Sequence, residues 1–224
     1  MPQRKIPTIS GAKEFMDDMN RLIPETKDKF NKSYFEQWVK DFENYKDIYS
    51  KILTTTNKLN DYYSFRISYT LKTPVWREIL CLGSDNLDEL AEELIYSMGW
   101  DNDHLHQFLP RTINGEFLGF YGRLSIKLEY PDDDEDWPSY KTQQIRIADI
   151  DWAKYPKWNF VFDFGDNHTF HIEHKGKLTK KEAYAKWYFE ETPIVIDQRG
   201  VGPIQYPNWE EIESRADSLH LNRG

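Results

Sequence analysis

Apolar residues recur at helical spacing from Ser10 to Asn60 and then at every second position from Phe65 onward, so the chain changes from helix to sheet near Asn60-Asp61. In the helical part, Phe15, Met16, Met19, Leu22 and Ile23 share one face of a first helix, which Pro24 is expected to end. Ser33 and Glu36 have the spacing of a capping box for a second helix. Its stripe is Phe35, Trp38, Val39, Phe42, Tyr45, Tyr49, Ile52 and Leu53. That stripe is expected to dock on the rest of the protein or on a second copy of it. Phe65, Ile67, Tyr69 and Leu71 then alternate with Arg66, Ser68 and Thr70, a strand with one wet face. After a turn at Lys72-Thr73-Pro74, Val75 to Leu82 reads as a second, antiparallel strand.

An amphipathic helix follows, with Leu87, Leu90, Ala91, Leu94, Ile95 and Met98 on one side. Asp85 or Asn86 caps it, and Gly99 suits a left-handed stop. Further strands are expected at His104 to Leu109, Glu116 to Tyr121, Leu124 to Tyr130, Gln144 to Ile147, Trp158 to Phe164 and His168 to His174. Gly165-Asp166-Asn167 joins the last two as a hairpin, with Gly165 free to take positive φ and the flanking carboxylates free to accept loop N–H groups. Thr179 and Glu182 cap a short helix to about Glu190, and Trp209 to Ile212 suggests a last helical turn. The pattern predicts an α+β fold: an antiparallel sheet with one long packed helix (63–224), preceded by an N-terminal helical extension (1–62).

Composition narrows the functional classes. The 8 Trp, 14 Tyr and 13 Phe supply a core although mean hydropathy is −0.79. Residues 1–62 carry 11 basic and 10 acidic side chains, whereas 63–224 carry 18 and 28, so nearly all of the net charge of −9 sits in the sheet region. Such a surface repels phosphate backbones, disfavours duplex DNA and suits basic partners. The acidic run Asp132-Asp133-Asp134-Glu135-Asp136 reads as a solvated loop, or as a site for a cation or basic peptide. The single Cys81, inside Ile79-Leu80-Cys81-Leu82, reads as a buried hydrophobe, and one thiol excludes an internal disulfide. With no apolar span and no signal-like N-terminus, a soluble, cytoplasmic protein is expected.

Three segments, Pro74-Val75-Trp76-Arg77-Glu78-Ile79, Met98 to Phe108 and Phe160 to Asp166, stand in order around the amphipathic helix, with Ile145 to Ile150 before the third. In this arrangement the chain resembles the plasmid pRiA4b ORF-3-like family, whose members also carry a transposon-passenger "TnpR" label, from about Tyr63 to Trp209. The resemblance implies a compact α+β domain of mobile-element or phage-like context. No serine- or tyrosine-recombinase constellation supports the resolvase label. The third segment of the family ends in a pattern like Asp-Trp-x-His-x-Ile/Val. Here the matching positions are Asn167, His168, Thr169, Phe170, His171 and Ile172, so Phe170 replaces the histidine. The tail cysteines common in the family are absent.

The candidate pocket residues are Trp76, Arg77, Trp100, His104, His106, Asp163 and Asp166. On a strand, His104 and His106 project to one face with Phe108, and with Asp163 or Asp166 they form a ligand set suited to a divalent metal such as Zn. The same residues also read as hydrogen-bonded scaffold groups or as a pocket for a small polar ligand. Arg77 is expected over an aromatic face or paired with an aspartate, and Trp76 and Trp100 as core anchors. Asp163-Phe164-Gly165-Asp166 matches the magnesium-binding kinase triplet in letters only, since neither a glycine-rich phosphate loop nor a catalytic loop accompanies it.

The expected function is a non-catalytic interaction module, with no cofactor, that binds a protein partner or self-associates. A metal-assisted hydrolase of a phosphate-containing or nucleotide-like compound, using His104, His106 and Asp163 or Asp166 around a bound water, is the alternative. A nucleic-acid-associated regulator using the N-terminal helices is another, although those helices have no basic stripe.

Overall fold

A computed structural model of the chain describes residues 6–54, 58–69, 74–111, 128–129 and 138–206. Helices α1 (Ala12–Glu25) and α2 (Lys29–Ile52) precede strands β1 (Tyr62–Tyr69) and β2 (Val75–Leu82). Helix α3 (Leu87–Ser97) leads to β3 (His106–Pro110), β4 (Leu128–Glu129) and β5 (Tyr140–Lys141). Two 3₁₀ turns (Thr142–Gln144 and Ile147–Asp149), β6 (Lys157–Phe162), β7 (His168–Leu178), α4 (Lys180–Lys186) and β8 (Ile194–Arg199) follow.

The strands form one sheet in the order β5-β4-β3-β6-β7-β1-β2-β8, antiparallel except for the short β4–β5 pair. Register follows from period-2 burial. Phe65 faces Ile79 and Ile67 faces Ile172, while Phe160 sits between Phe108 and Phe170, so one face of the sheet is a continuous apolar surface. A one-residue slip would turn that whole set to the other face. Helix α3 covers this surface with Leu87, Leu90, Ala91, Leu94 and Ile95, all fully buried. Asn86 caps it in a reciprocal box with Glu89, and Gly99 takes φ 78° just beyond its end.

The apolar stripe of the first two helices is spent within the chain. Phe15, Met19, Phe42, Tyr45, Tyr49 and Ile52 join the same core as the sheet. Tyr45 Oη accepts the Tyr140 N–H at 2.7 Å, and Asp151 N donates to the Ile52 carbonyl at 2.9 Å. Backbone pairing at Ser10–Ser139 and Leu53–Ile150 adds further stitches.

Several boundaries differ from the sequence-based expectation. Helix α2 starts at Lys29 because Asp28, as good an N-cap as serine, accepts the Asn31 N–H at 2.8 Å; Ser33 and Glu36 lie inside the helix. Pro24 sits in the last turn of α1, which closes one residue later. The strand expected at Gln144 to Ile147 is a pair of 3₁₀ turns: Ile145 and Ile147 still point inward, since two buried positions two apart suit either geometry. Helix α4 ends at Lys186, and Phe189 folds into a satellite cluster with Tyr62, Leu80 and Ala183. The strand expected at Glu116 to Tyr121, the acidic run 131–136 and the turn at 209–212 lie outside the described residues. Among the described residues no helix is long and apolar enough to cross a membrane.

Candidate functional site

The C-terminal end of β1, the N-terminal ends of β2 and β3, the β6–β7 turn and the C-terminal end of β8 all lie at one end of the sheet. Three irregular segments meet there: the 98–105 loop, the 163–167 turn and a strap, residues 200–206. Trp100, buried at 3% exposure, anchors the meeting point. Its ring packs on His168 with centroids 4.5 Å apart, and its indole N–H donates to the Pro203 carbonyl at 2.6 Å.

Hydrogen bonds sew the strap to the loop. Gln205 accepts from Asp101 N at 2.8 Å and donates to the Asp101 carbonyl at 2.9 Å and to Asp103 Oδ1 at 3.1 Å. Tyr206 O–H donates to the same Asp103 oxygen at 2.7 Å, and this hydrogen bond is the main cause that holds the Asp103 carboxyl below its ordinary value. The arrangement fixes the strap backbone while leaving Val201 89% and Ile204 72% exposed.

In the β6–β7 turn the left-handed residues are Asp163 (φ 54°) and Asn167 (φ 55°), the two side-chain types that best tolerate it, and not Gly165. Asp163 Oδ1 accepts the N–H groups of Gly165 and Asp166 at 2.9 and 3.3 Å, as expected of a carboxylate beside a tight hairpin. Its other oxygen lies 3.5 Å from His104 Nε2.

Of the seven candidate residues, the structure groups Trp100, His104, Asp163 and Asp166, while Trp76, Arg77 and His106, on the strands at the same end, make their contacts apart from that group. His104 and His106 do not share a strand face, because β3 begins only at His106. His106 is 1% exposed and meets Asp88 of α3, with Nε2 3.3 Å from Oδ1, among the rings of Phe108 and Phe160. The joint ligand set of His104, His106 and Asp163 is therefore not assembled. Among the described residues Arg77 has neither an aromatic face nor an aspartate as partner. It is 3% exposed and donates to the backbone carbonyls of Ser97, Trp76, Arg199 and Gly200 at 2.9–3.3 Å. Trp76 is a half-buried residue of the opposite sheet face, where the Arg66 guanidinium lies 4.0 Å over its ring.

The residues missed by sequence reasoning are His168, Tyr69, Asp103, Gln205 and Tyr206. A signal existed for His168: alternation along β7 puts it on the inward face with Phe170. Its Nδ1 lies 2.8 Å from the Tyr69 hydroxyl, and Nε2 is buried with no partner among the described residues. Asp163, Asp166 and His168 each offer a ligand-type atom, all within 4.8 Å of one another, so this is the group able to hold a cation among the described residues. Gln205 and Tyr206 lie in an aperiodic tail that carries no pattern to read.

The His106–Asp88 pair ties α3 to the first 3₁₀ turn, since Asp88 also accepts from Thr142 Oγ1 at 3.1 Å and Gln143 Nε2 at 3.2 Å. Burial works to raise the Asp88 carboxyl, but the hydrogen bond and charge of His106, with those two donors, hold it below its ordinary value. The unfolded chain therefore takes up the proton first on acidification. The contribution of Asp88 to stability is complete above about pH 4 and is lost as pH falls through its folded value. Asp88→Asn is expected to cost about 1–2 kcal/mol at pH 7 and to remove this part of the acid limb, as urea unfolding between pH 2 and 7 will measure.

Comparison with known proteins places the fold. The family model described as plasmid pRiA4b ORF-3-like protein matches residues 62–205. Among solved structures, the crystal structure of a protein of unknown function, MM3350 from Methanosarcina mazei Go1, is similar with a TM-score of 0.52. It is 18% identical, over 71% of this chain and 82% of that one, a likeness of fold. No curated protein matches. Two of the three segments, Pro74 to Ile79 and Phe160 to Asp166, frame the sheet end described above, the third runs through its loop, and all lie within the matched span: the chain belongs to the plasmid pRiA4b ORF-3-like family.

Proposed function

We propose that the protein is a non-catalytic interaction module that binds a basic protein partner with the strap end of its sheet. The single observation that carries this reading is the pairing of a fixed backbone with exposed apolar side chains: Val201 and Ile204 stand in solvent on a strap held by Trp100, Asp101 and Asp103. Side chains presented on an ordered backbone bind with little backbone ordering cost. Asp101, Asp103, Asp163 and Asp166 give this end a negative field that attracts a cationic segment and repels nucleic acid. Two of the candidate groups are meanwhile engaged by the scaffold, His106 by Asp88 and Arg77 by carbonyls. The plasmid description of the family fits a mobile-element setting.

The test is to recover the partner by cross-linked capture from the native host, reconstitute the complex from pure components, and compare the wild type with V201D/I204D. Loss of binding in the double variant, with unchanged folding, is expected. Undiminished binding, or turnover of a small substrate by the wild type, would overturn the reading.

A further inference from the structure

The sheet face opposite the core carries a second feature, independent of the strap. Register brings the outward residues of three strands into rows. Arg66 of β1 faces Glu173 of β7, which faces Lys157 of β6; Ser68 faces His171 in the next row. Arg111, directly after β3, is held beside them because its N–H donates to the Lys157 carbonyl at 2.9 Å. These side chains line a depression of about 170 Å³. A depression of this size has room for a small oxyanion.

Charge and hydrogen bonding both point to an anion. The lining holds three permanent cations, Arg66, Arg111 and Lys157, against one carboxylate, Glu173, in a chain whose net charge is −9. Glu173 lies 3.4 Å from Lys175, and Glu78 takes Arg66 Nη2 at 3.3 Å. Even so, the Nε atoms of Arg66 and Arg111 are buried without an acceptor. Guanidinium groups whose donors are not all paired keep part of their positive charge uncompensated, which favours an anion beside them. Arg66 is already oriented, stacked on Trp76 and tied to Glu78, so little ordering is left for binding. His171 is pulled below its ordinary value, first by burial and then by the Arg111 charge, which marks the same positive field.

We propose that this depression is a binding site for the phosphate group of a small molecule, held by Arg66, Arg111 and Lys157, with Ser68 as an additional donor. Phosphate suits it better than a carboxylate because three cations line it, and a tetrahedral, more highly charged group offers an oxygen to each.

The test is calorimetric titration of the full chain at low ionic strength with inorganic phosphate and, in a second arm, glycerol 3-phosphate. One saturable site is expected, weakened about tenfold by Arg111→Gln and by the more exposed Lys157→Gln, and unchanged by Lys40→Gln on α2, which removes the same charge far away. Tighter binding of the ester assigns the site to a phosphorylated metabolite, and equal or tighter binding of the free ion assigns it to phosphate itself. The proposal fails if neither probe saturates, if Lys40→Gln weakens binding as much as the two pocket variants, or if acetate at equal ionic strength competes equally.

Discussion

Arg77→Met is expected to destabilise the protein by about 3–5 kcal/mol, the loss appropriate to a buried charged group with several partners. The guanidinium is a junction. It caps the Ser97 carbonyl at the end of α3, closes on the Trp76 carbonyl beside it in β2, and holds the Arg199 and Gly200 carbonyls where β8 passes into the strap. Methionine fills similar space but donates nothing, so four carbonyls are left without this donor and the end of α3 loses a favourable cation. Arg77→Lys keeps the charge, yet a compact ammonium cannot span the same carbonyls, and an intermediate loss is expected. Urea unfolding monitored by fluorescence measures both. A loss below about 1 kcal/mol for Arg77→Met would mean that these hydrogen bonds do not hold the junction.

Gly202→Ala is the second substitution with a large expected effect. A Cβ at this position would stand 2.2 Å from the Met98 carbonyl oxygen and 2.9 Å from Met98 C and Cα. These are backbone atoms at the end of α3 and cannot step aside as a flexible side chain would. The strap must lift, and the Trp100–Pro203 and Gln205–Asp101 hydrogen bonds stretch or break with it. Overpacking of this kind costs about 2–3 kcal/mol. Thermal unfolding and Trp emission report the two consequences, lower stability and a wetter indole. A variant with wild-type melting and emission would show that the strap is not seated on Met98.

The elements with a long, regular period were legible in the sequence: the β1–β2 hairpin, α3 with its cap and stop, and the inward residues of β6 and β7. The site was legible in part. Trp100, His104, Asp163 and Asp166 were identified and do gather at one end, because each lies next to a strand terminus whose position the alternation predicts. His106 was grouped with His104 on the assumption of an earlier strand start; with β3 beginning at His106, His104 lies in the loop, while His106 stays on the inward face with Phe108 and meets Asp88 of α3. Arg77 was assigned an aromatic or aspartate partner from its neighbours in sequence. The aromatic contact at Trp76 belongs instead to Arg66, which lies across the strand pair, where contacts depend on register. The strap, a Pro- and Gly-rich stretch too short for a dinucleotide fingerprint, was assigned no role because Gly200 to Tyr206 has no period, and its role arises from hydrogen bonds to residues about a hundred positions earlier.

The most direct measurement of the central claim, recognition by the strap end, is the affinity of the reconstituted partner for wild type and V201D/I204D at low and physiological salt. Withdrawing two exposed aliphatic side chains from a buried contact and adding two negative charges is expected to weaken binding about 100-fold or more. Wild-type affinity is expected to fall with salt because the partner is cationic. An affinity unchanged by the double substitution, with both proteins folded, would contradict the account and move recognition to another face.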